Sequence, residues 1–213
     1  MTKPFEIKVC GMTKLENIQL LAELPIDYIG HIFYKKSARY AGNLKPVSLP
    51  SSIKKVGVFV NATHAEVIEK AKEHQLCIVQ LHGNETAEQC AALKAEGLKV
   101  FKAFGIDQQF TWDQITAYHH HVDRFLFDSK SPQYGGTGLR FNWDFLTHYK
   151  GTTPYFLSGG LSLDNLHETR SINDERLIGL DLNSKFEISP GIKDIERVKT
   201  ALKVIQHEQI SSK

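Results

Sequence analysis

The chain has 213 residues, 41% of them hydrophobic and 23% charged, with a formal net charge of +2. This length suits one domain, residues 1–213, with a large core, and the charge balance gives no reason to expect nucleic acid or an acidic membrane as partner. The start, Met1-Thr2-Lys3-Pro4-Phe5-Glu6, lacks the apolar core of a signal peptide, and no apolar run approaches the roughly 18 residues of a membrane helix. Cys10, Cys77 and Cys90 are odd in number with no C-x-x-C, which argues against a disulfide framework or a zinc site and for a cytoplasmic setting.

Phe5–Cys10 reads as a strand stopped by Gly11, and Thr13-Lys14-Leu15-Glu16 as a capping box opening a helix to about Leu24. Tyr28–Tyr34 is a second strand, followed by a polar loop through Gly42 and at most a short helix near Pro46–Ser52. Val56–Val60 is a third strand, and Thr63-His64-Ala65-Glu66 caps a helix to about His74. Ile78–Gly83 is a fourth strand, with a helix from Thr86 to Glu96 that Gly97 ends. Lys99–Phe104 is the fifth, trailed by a weaker helix near Thr111–His119. Phe125–Asp128 is the sixth and opens into a long loop containing Gly135-Gly136-Thr137-Gly138, the composition of a lid. A short helix is expected near Asn142–His148.

The last two units share one plan. Tyr155-Phe156-Leu157-Ser158-Gly159-Gly160-Leu161 is an apolar run broken by two glycines before a helical stretch. Ile178-Gly179-Leu180-Asp181-Leu182-Asn183-Ser184-Lys185 is an apolar run ending in small polar residues, and Asp194 caps a final helix through Ile205. Glycines let a backbone present N–H groups to an anion, and a helix N-terminus adds a favourable dipole. Eight strand–helix pairs at a spacing of roughly 25 residues predict a parallel (β/α)₈ barrel, and these two units fall where that fold binds phosphate. An open doubly wound sheet is the competing fold, but no G-x-G-x-x-G follows the first strand.

In such a barrel the working residues stand at the C-terminal ends of the strands. Read in order, those ends give Cys10, Arg39 in the second loop, His82, Asp128, Gly159-Gly160 and Asn183-Ser184. The set holds a possible base, a cation for a carboxylate, an acid and a phosphate grip. Each has a plainer alternative: a buried thiol for Cys10, a turn cap for Asp128, a solvated basic loop for Arg39. Period-two alternation puts Lys8 beside Cys10 inside the barrel, where its charge is expected to lower the thiol's pKa. Lys8 should also meet Asp181 across the closing seam as an ion pair. His119-His120-His121 lies at the opposite, N-terminal face and reads as loop.

The chain resembles the N-(5′-phosphoribosyl)anthranilate isomerases. The resemblance rests on Lys8-Val9-Cys10-Gly11-Met12-Thr13, Ser37-Ala38-Arg39-Tyr40, Val56-Gly57-Val58-Phe59-Val60, Val79-Gln80-Leu81-His82-Gly83, and Asp128 with Gly135-Gly136-Thr137-Gly138. It continues through Ser158-Gly159-Gly160-Leu161, Gly179-Leu180-Asp181-Leu182-Asn183-Ser184 and Glu187-Ile188-Ser189-Pro190-Gly191-Ile192-Lys193-Asp194. It implies a cofactor-free, metal-free Amadori rearrangement in tryptophan biosynthesis, with Asp128 as general acid and Cys10 as general base. Arg39 is implied to hold the anthranilate carboxylate, and Gly159, Gly160, Asn183 and Ser184 the phosphate; His82 and Asp181 are counted with them as substrate-facing. Three residues depart from the family pattern: His31 where Phe is usual, Ala38 for a proline, and Lys185 at a position often held by glycine. Another phosphosugar isomerase on the same barrel would not need Arg39, and a phosphosugar-binding module would need neither Cys10 nor Asp128. Monomer and homodimer both fit the composition.

Overall fold

Period-two alternation sorts the strand residues onto two faces, and that sorting decides the architecture. In the computed structural model, which describes residues 5–130 and 140–210, eight strands among those residues close a barrel. They are β1 (Glu6–Cys10), β2 (Tyr28–Ile32), β3 (Lys54–Phe59), β4 (Ile78–Leu81), β5 (Lys99–Ile106), β6 (Arg124–Ser129), β7 (Tyr155–Leu157) and β8 (Leu177–Leu182). Each is parallel to the next, and β1 closes on β8 with Lys8 opposite Asp181.

The barrel interior is layered. Tyr28, Val56, Ile78, Phe101, Ala103, Leu126 and Phe156 form one apolar cluster. Moving two to four residues toward the C-terminal ends on the same faces reaches Ile32, Val58, Gln80, His82, Asp128 and Ser158, which line a pocket. The second, larger core lies between strands and outer elements and includes Ile18, Leu21, Val67, Leu93, Phe125, Phe127, Tyr155 and Val198. Apolar filling below and polar lining above make the barrel a plugged cup that opens at one end.

Among the described residues, four α-helices pack outside: α1 (Leu15–Ala22), α2 (His64–His74), α3 (Ala87–Ala95) and α4 (Ile195–Ile210). None is long and apolar enough to cross a membrane. The capping box of α2 forms as expected, Thr63 with Glu66, and α3 has one too, Thr86 with Gln89. The one at α1 does not. Lys14 occupies the cap position without a side-chain bond, and the Thr13 hydroxyl donates to the Gly191 carbonyl at 3.1 Å instead. A tertiary partner thus outcompetes the local motif, tying the β1 loop to the chain after β8.

The weaker helices are single 3₁₀ stretches, Trp112–Tyr118, Trp143–His148 and Leu166–Ser171, and residues 46–50 form no helix. Aromatic and β-branched residues such as Ile115, Thr116, Phe145 and Thr147 are poor helix formers, and 3₁₀ turns are the usual outcome in short pieces. The glycine-rich segment at 135–138 lies outside the described residues. His119 packs on Phe125 and Tyr149 and bonds the Thr153 hydroxyl at 2.7 Å, a structural role.

His31 is 1% exposed on the outward face of β2, its Nδ1 3.3 Å from the Met12 carbonyl. Burial lowers its pKa from 6.5 to about 4, with His74 and Lys55 pushing the same way. The unfolded chain therefore binds this proton more readily, and stability present above pH 6.5 is lost as pH falls toward 4. At about 1.4 kcal/mol per pH unit, the loss reaches about 3 kcal/mol. His31→Phe is expected to flatten the fall in urea-unfolding stability between neutral pH and pH 5. An unchanged pH dependence would remove His31 as its cause.

Candidate active site

Cys10 ends β1, and its neighbour across the ladder is Gly30. A side chain at Gly30 would come within 2.7 Å of Cys10 Sγ, so glycine there keeps the thiol's place open. Gly11, at φ +83°, turns the chain so tightly that a Cβ would lie 2.7 Å from Arg39 Cδ and 3.0 Å from Asn183 Oδ1. These glycines draw β1, the second loop and the eighth loop around one space.

That space is a pocket lined by Cys10, Arg39, Gln80, His82, Asp128, Ser158, Asp181 and Asn183, with Ile32, Val58 and Val60 as its apolar wall. Asp128 Oδ1 accepts the Ser129 N–H at 2.7 Å, and Oδ2 lies 3.3 Å from His82 Nε2. The Gln80 amide nitrogen is 3.0 Å from His82 Nδ1. With that amide donating to Nδ1, a neutral His82 carries its proton on Nε2, facing Asp128. Gly159 completes the carboxylate's setting, since a Cβ there would fall 2.4 Å from Ser129 N and 2.7 Å from Asp128 Oδ1.

Beneath Cys10, Lys8 Nζ reaches both oxygens of Asp181 at 3.0 Å, the ion pair expected across the seam. Burial alone would lower the Lys8 pKa, but Asp181 and Cys10 outweigh it and hold the ammonium above 10.5. The thiol does not follow the expectation. Burial, the largest influence, pushes Cys10 above its ordinary 9.0; Lys8 and Lys193 pull it down without prevailing. Alternation correctly placed the cation but carried no measure of how completely the barrel excludes water.

Arg39 makes a side-on bidentate contact with Glu187, with Nε 2.9 and 3.0 Å from the two oxygens and Nη2 at 2.7 Å. Its five donors are therefore only partly used, and the end-on Nη1 edge meets no acceptor among the described residues.

A family model described as "N-(5′phosphoribosyl)anthranilate (PRA) isomerase" matches residues 7–204. A protein named N-(5′-phosphoribosyl)anthranilate isomerase from Parabacteroides distasonis is 43% identical over 211 residues, covering 97% of this chain and 96% of that one. The chain belongs to the N-(5′-phosphoribosyl)anthranilate isomerase family. The phosphoribosyl anthranilate isomerase structure from Thermotoga maritima matches the fold with a TM-score of 0.82 at 32% identity, covering 95% of this chain and 99% of that one. A family structure in complex with reduced 1-(o-carboxyphenylamino)-1-deoxyribulose 5-phosphate matches at 0.79 and 29% identity, with coverage of 95% and 99%.

Of the residues singled out from the sequence, Cys10, Arg39, His82, Asp128, Asp181 and Asn183 share the pocket lining. Gly159, Gly160 and Ser184 fall just outside it, one or two residues along the chain from Ser158 and Asn183. Both glycines have positive φ, and Asn165 braces the turn by donating to the Gly160 carbonyl and accepting from Ser162 N, each at 2.9 Å. The N–H groups of Gly160 and Ser184 donate to no acceptor among the described residues. After the seventh loop the expected helical stretch is only the 3₁₀ piece Leu166–Ser171, and the helix expected from Asp194 forms as α4, but the three-residue 3₁₀ turn Ser184–Phe186 stands between it and Asn183. An anion at this rim would rest on individual N–H groups rather than on a long helix dipole.

Sequence reasoning missed Gln80 and Glu187 as site residues. Gln80 was within reach, because it precedes His82 by two positions and so shares its face. Glu187 gave no local signal, its partner being 148 positions away.

Proposed function

We propose that this chain isomerises N-(5′-phosphoribosyl)anthranilate to 1-(o-carboxyphenylamino)-1-deoxyribulose 5-phosphate in tryptophan biosynthesis, with Asp128 as acid and Cys10 as base. The observation that carries the reading is the convergence of Cys10, Asp128 and Arg39 on one pocket whose rim holds the N–H groups of Gly160 and Ser184, which meet no acceptor among the described residues. The Asp128 carboxyl gives its proton to the furanose ring oxygen as the C1′–O bond breaks and the nitrogen lone pair forms a C1′=N iminium. The Cys10 thiolate then takes the C2′ proton, and the electron pair of that bond moves to C1′=C2′ while the iminium electrons return to nitrogen. The resulting enolamine loses its enol proton and gains one at C1′, giving the ketone. No atom is gained or lost.

Several features support this division of labour. The bond from Ser129 and the contact with His82 hold the Asp128 carboxyl in one orientation, as a general acid requires. Lys8 and Lys193 flank Cys10, so thiolate formed there has cations beside it. Arg39 suits an aromatic carboxylate, since a guanidinium reads that group through a planar fork. His82 and Asp181 face the substrate from the pocket wall, Asp181 with its carboxylate committed to Lys8. The three unpaired cysteines fit a cytoplasmic setting.

Crystals soaked in inorganic phosphate test the anchor of this reading. The anion is expected between the 159–160 and 183–184 segments, accepting from Gly160 and Ser184 N–H, and Gly160→Asp should abolish its density and raise KM. Phosphate bound elsewhere, with these segments empty, would overturn the substrate orientation.

A further inference from the structure

The Arg39 guanidinium is held by groups from a part of the chain that the mechanism does not use. After β8 the chain folds into a ribbon, β9 (Glu187–Ser189) against β10 (Ile192–Lys193), antiparallel and irregular in register. Glu187 and Lys193 face each other there, with Lys193 Nζ 2.6 Å from Glu187 Oε1 and 2.9 Å from Asn183 Oδ1. Gly191 N–H also donates to Glu187 Oε1, at 3.1 Å. The Asn17 side chain of α1 straps the ribbon by bonding both backbone groups of Lys193, at 2.7 and 2.9 Å. Lys193 is fully buried and the Glu187 side chain is 4% exposed.

We infer that Glu187 and Lys193 are positioning residues for Arg39, setting both the direction and the charge with which it meets the ring carboxylate. This rests on the proposed role of Arg39. The side-on contact uses Nε and one Nη2 hydrogen, which fixes the guanidinium's direction, and its end-on edge, with no acceptor among the described residues, is the edge that suits a second carboxylate. Charge makes the second half of the argument. Arg39 with Glu187 alone would be a neutral pair with little attraction for another anion. Lys193 supplies one further positive charge when protonated, matching one carboxylate; burial lowers its pKa from 10.5, and the contact with Glu187 works against that fall. Burial opposes ionisation of Glu187, yet the bonds from Arg39 and the charge of Lys193 prevail and hold it below the usual carboxylate value.

The test compares two ligands by calorimetric titration: reduced 1-(o-carboxyphenylamino)-1-deoxyribulose 5-phosphate, and its analogue built from aniline without the ring carboxylate. Glu187→Gln is expected to weaken the first about tenfold or more and the second about twofold or less, with KM rising and kcat nearly kept. The double variant Arg39→Ala/Glu187→Gln should bind the first ligand no worse than Arg39→Ala alone. Equal losses for both ligands, or losses that add in the double variant, would overturn the inference. Should Glu187→Gln fail to fold with Lys193 left unbalanced, Lys193→Met/Glu187→Gln removes both charges and is read by the same ligand comparison. Arg39→Ala separates the two levels of the claim. If it fails to distinguish the ligands, the role of Arg39 falls and this inference with it. If it distinguishes them and Glu187→Gln does not, only the positioning claim falls.

Discussion

Asp128→Asn is expected to fold as the parent does and to lose turnover by about 10²–10⁴-fold, the range that general acid catalysis supplies. An amide of the same shape can still accept the Ser129 N–H through its oxygen, so the β6 terminus keeps its geometry. It has no acidic proton to give the ring oxygen. Its NH₂ would also face His82 Nε2, 3.3 Å from the present Oδ2. The ring must then expose a lone pair there and place its proton on Nδ1, against the donor of Gln80. The loss should appear in kcat, with binding of the reduced product nearly unchanged. A variant that retains the parental kcat would remove Asp128 from the mechanism.

Cys10→Ser is expected to lose turnover on the order of 10²–10⁴-fold as well, because a serine hydroxyl is far too weak an acid to serve as an ionised base. The pH dependence makes this prediction sharper. Burial holds the Cys10 thiol above 9.0, and the thiolate is the form that removes the C2′ proton. Iodoacetamide also reacts with the thiolate alone, so the rate of inactivation of the free enzyme should climb as pH rises and should not level off below about pH 9, and the reduced product should protect against it. Cys77 is exposed and would react too, so Cys77→Ser is the proper background. Full activity with Cys10 alkylated would exclude this thiol as the base.

The barrel was legible because its signals are local and repeated. Strand-length apolar runs alternate with helices, and Thr63 caps where its motif says. The site was legible at strand ends for the same reason: alternation sends Cys10, His82 and Asp128 inward once the strands are parallel. What stayed hidden depends on groups distant in the chain. Thr13 abandons its own helix for Gly191, and Arg39 takes Glu187 from far along the sequence. Short stretches such as Leu166–Ser171 lack the propensity to extend beyond a 3₁₀ turn, which spacing alone does not reveal. The thiol's upward shift is a further case, since the neighbouring Lys8 is visible in the sequence and the depth of burial is not.

The most direct test follows the anthranilate fluorescence of N-(5′-phosphoribosyl)anthranilate, generated enzymatically in the cuvette, after this protein is added. The account predicts rapid first-order decay to the ketose product, with neither metal nor cofactor supplied. It predicts that Asp128→Asn and Cys10→Ser at equal concentration leave the signal near its uncatalysed rate. Decay that the folded wild-type protein does not accelerate, or that both variants accelerate as well as wild type, would contradict it.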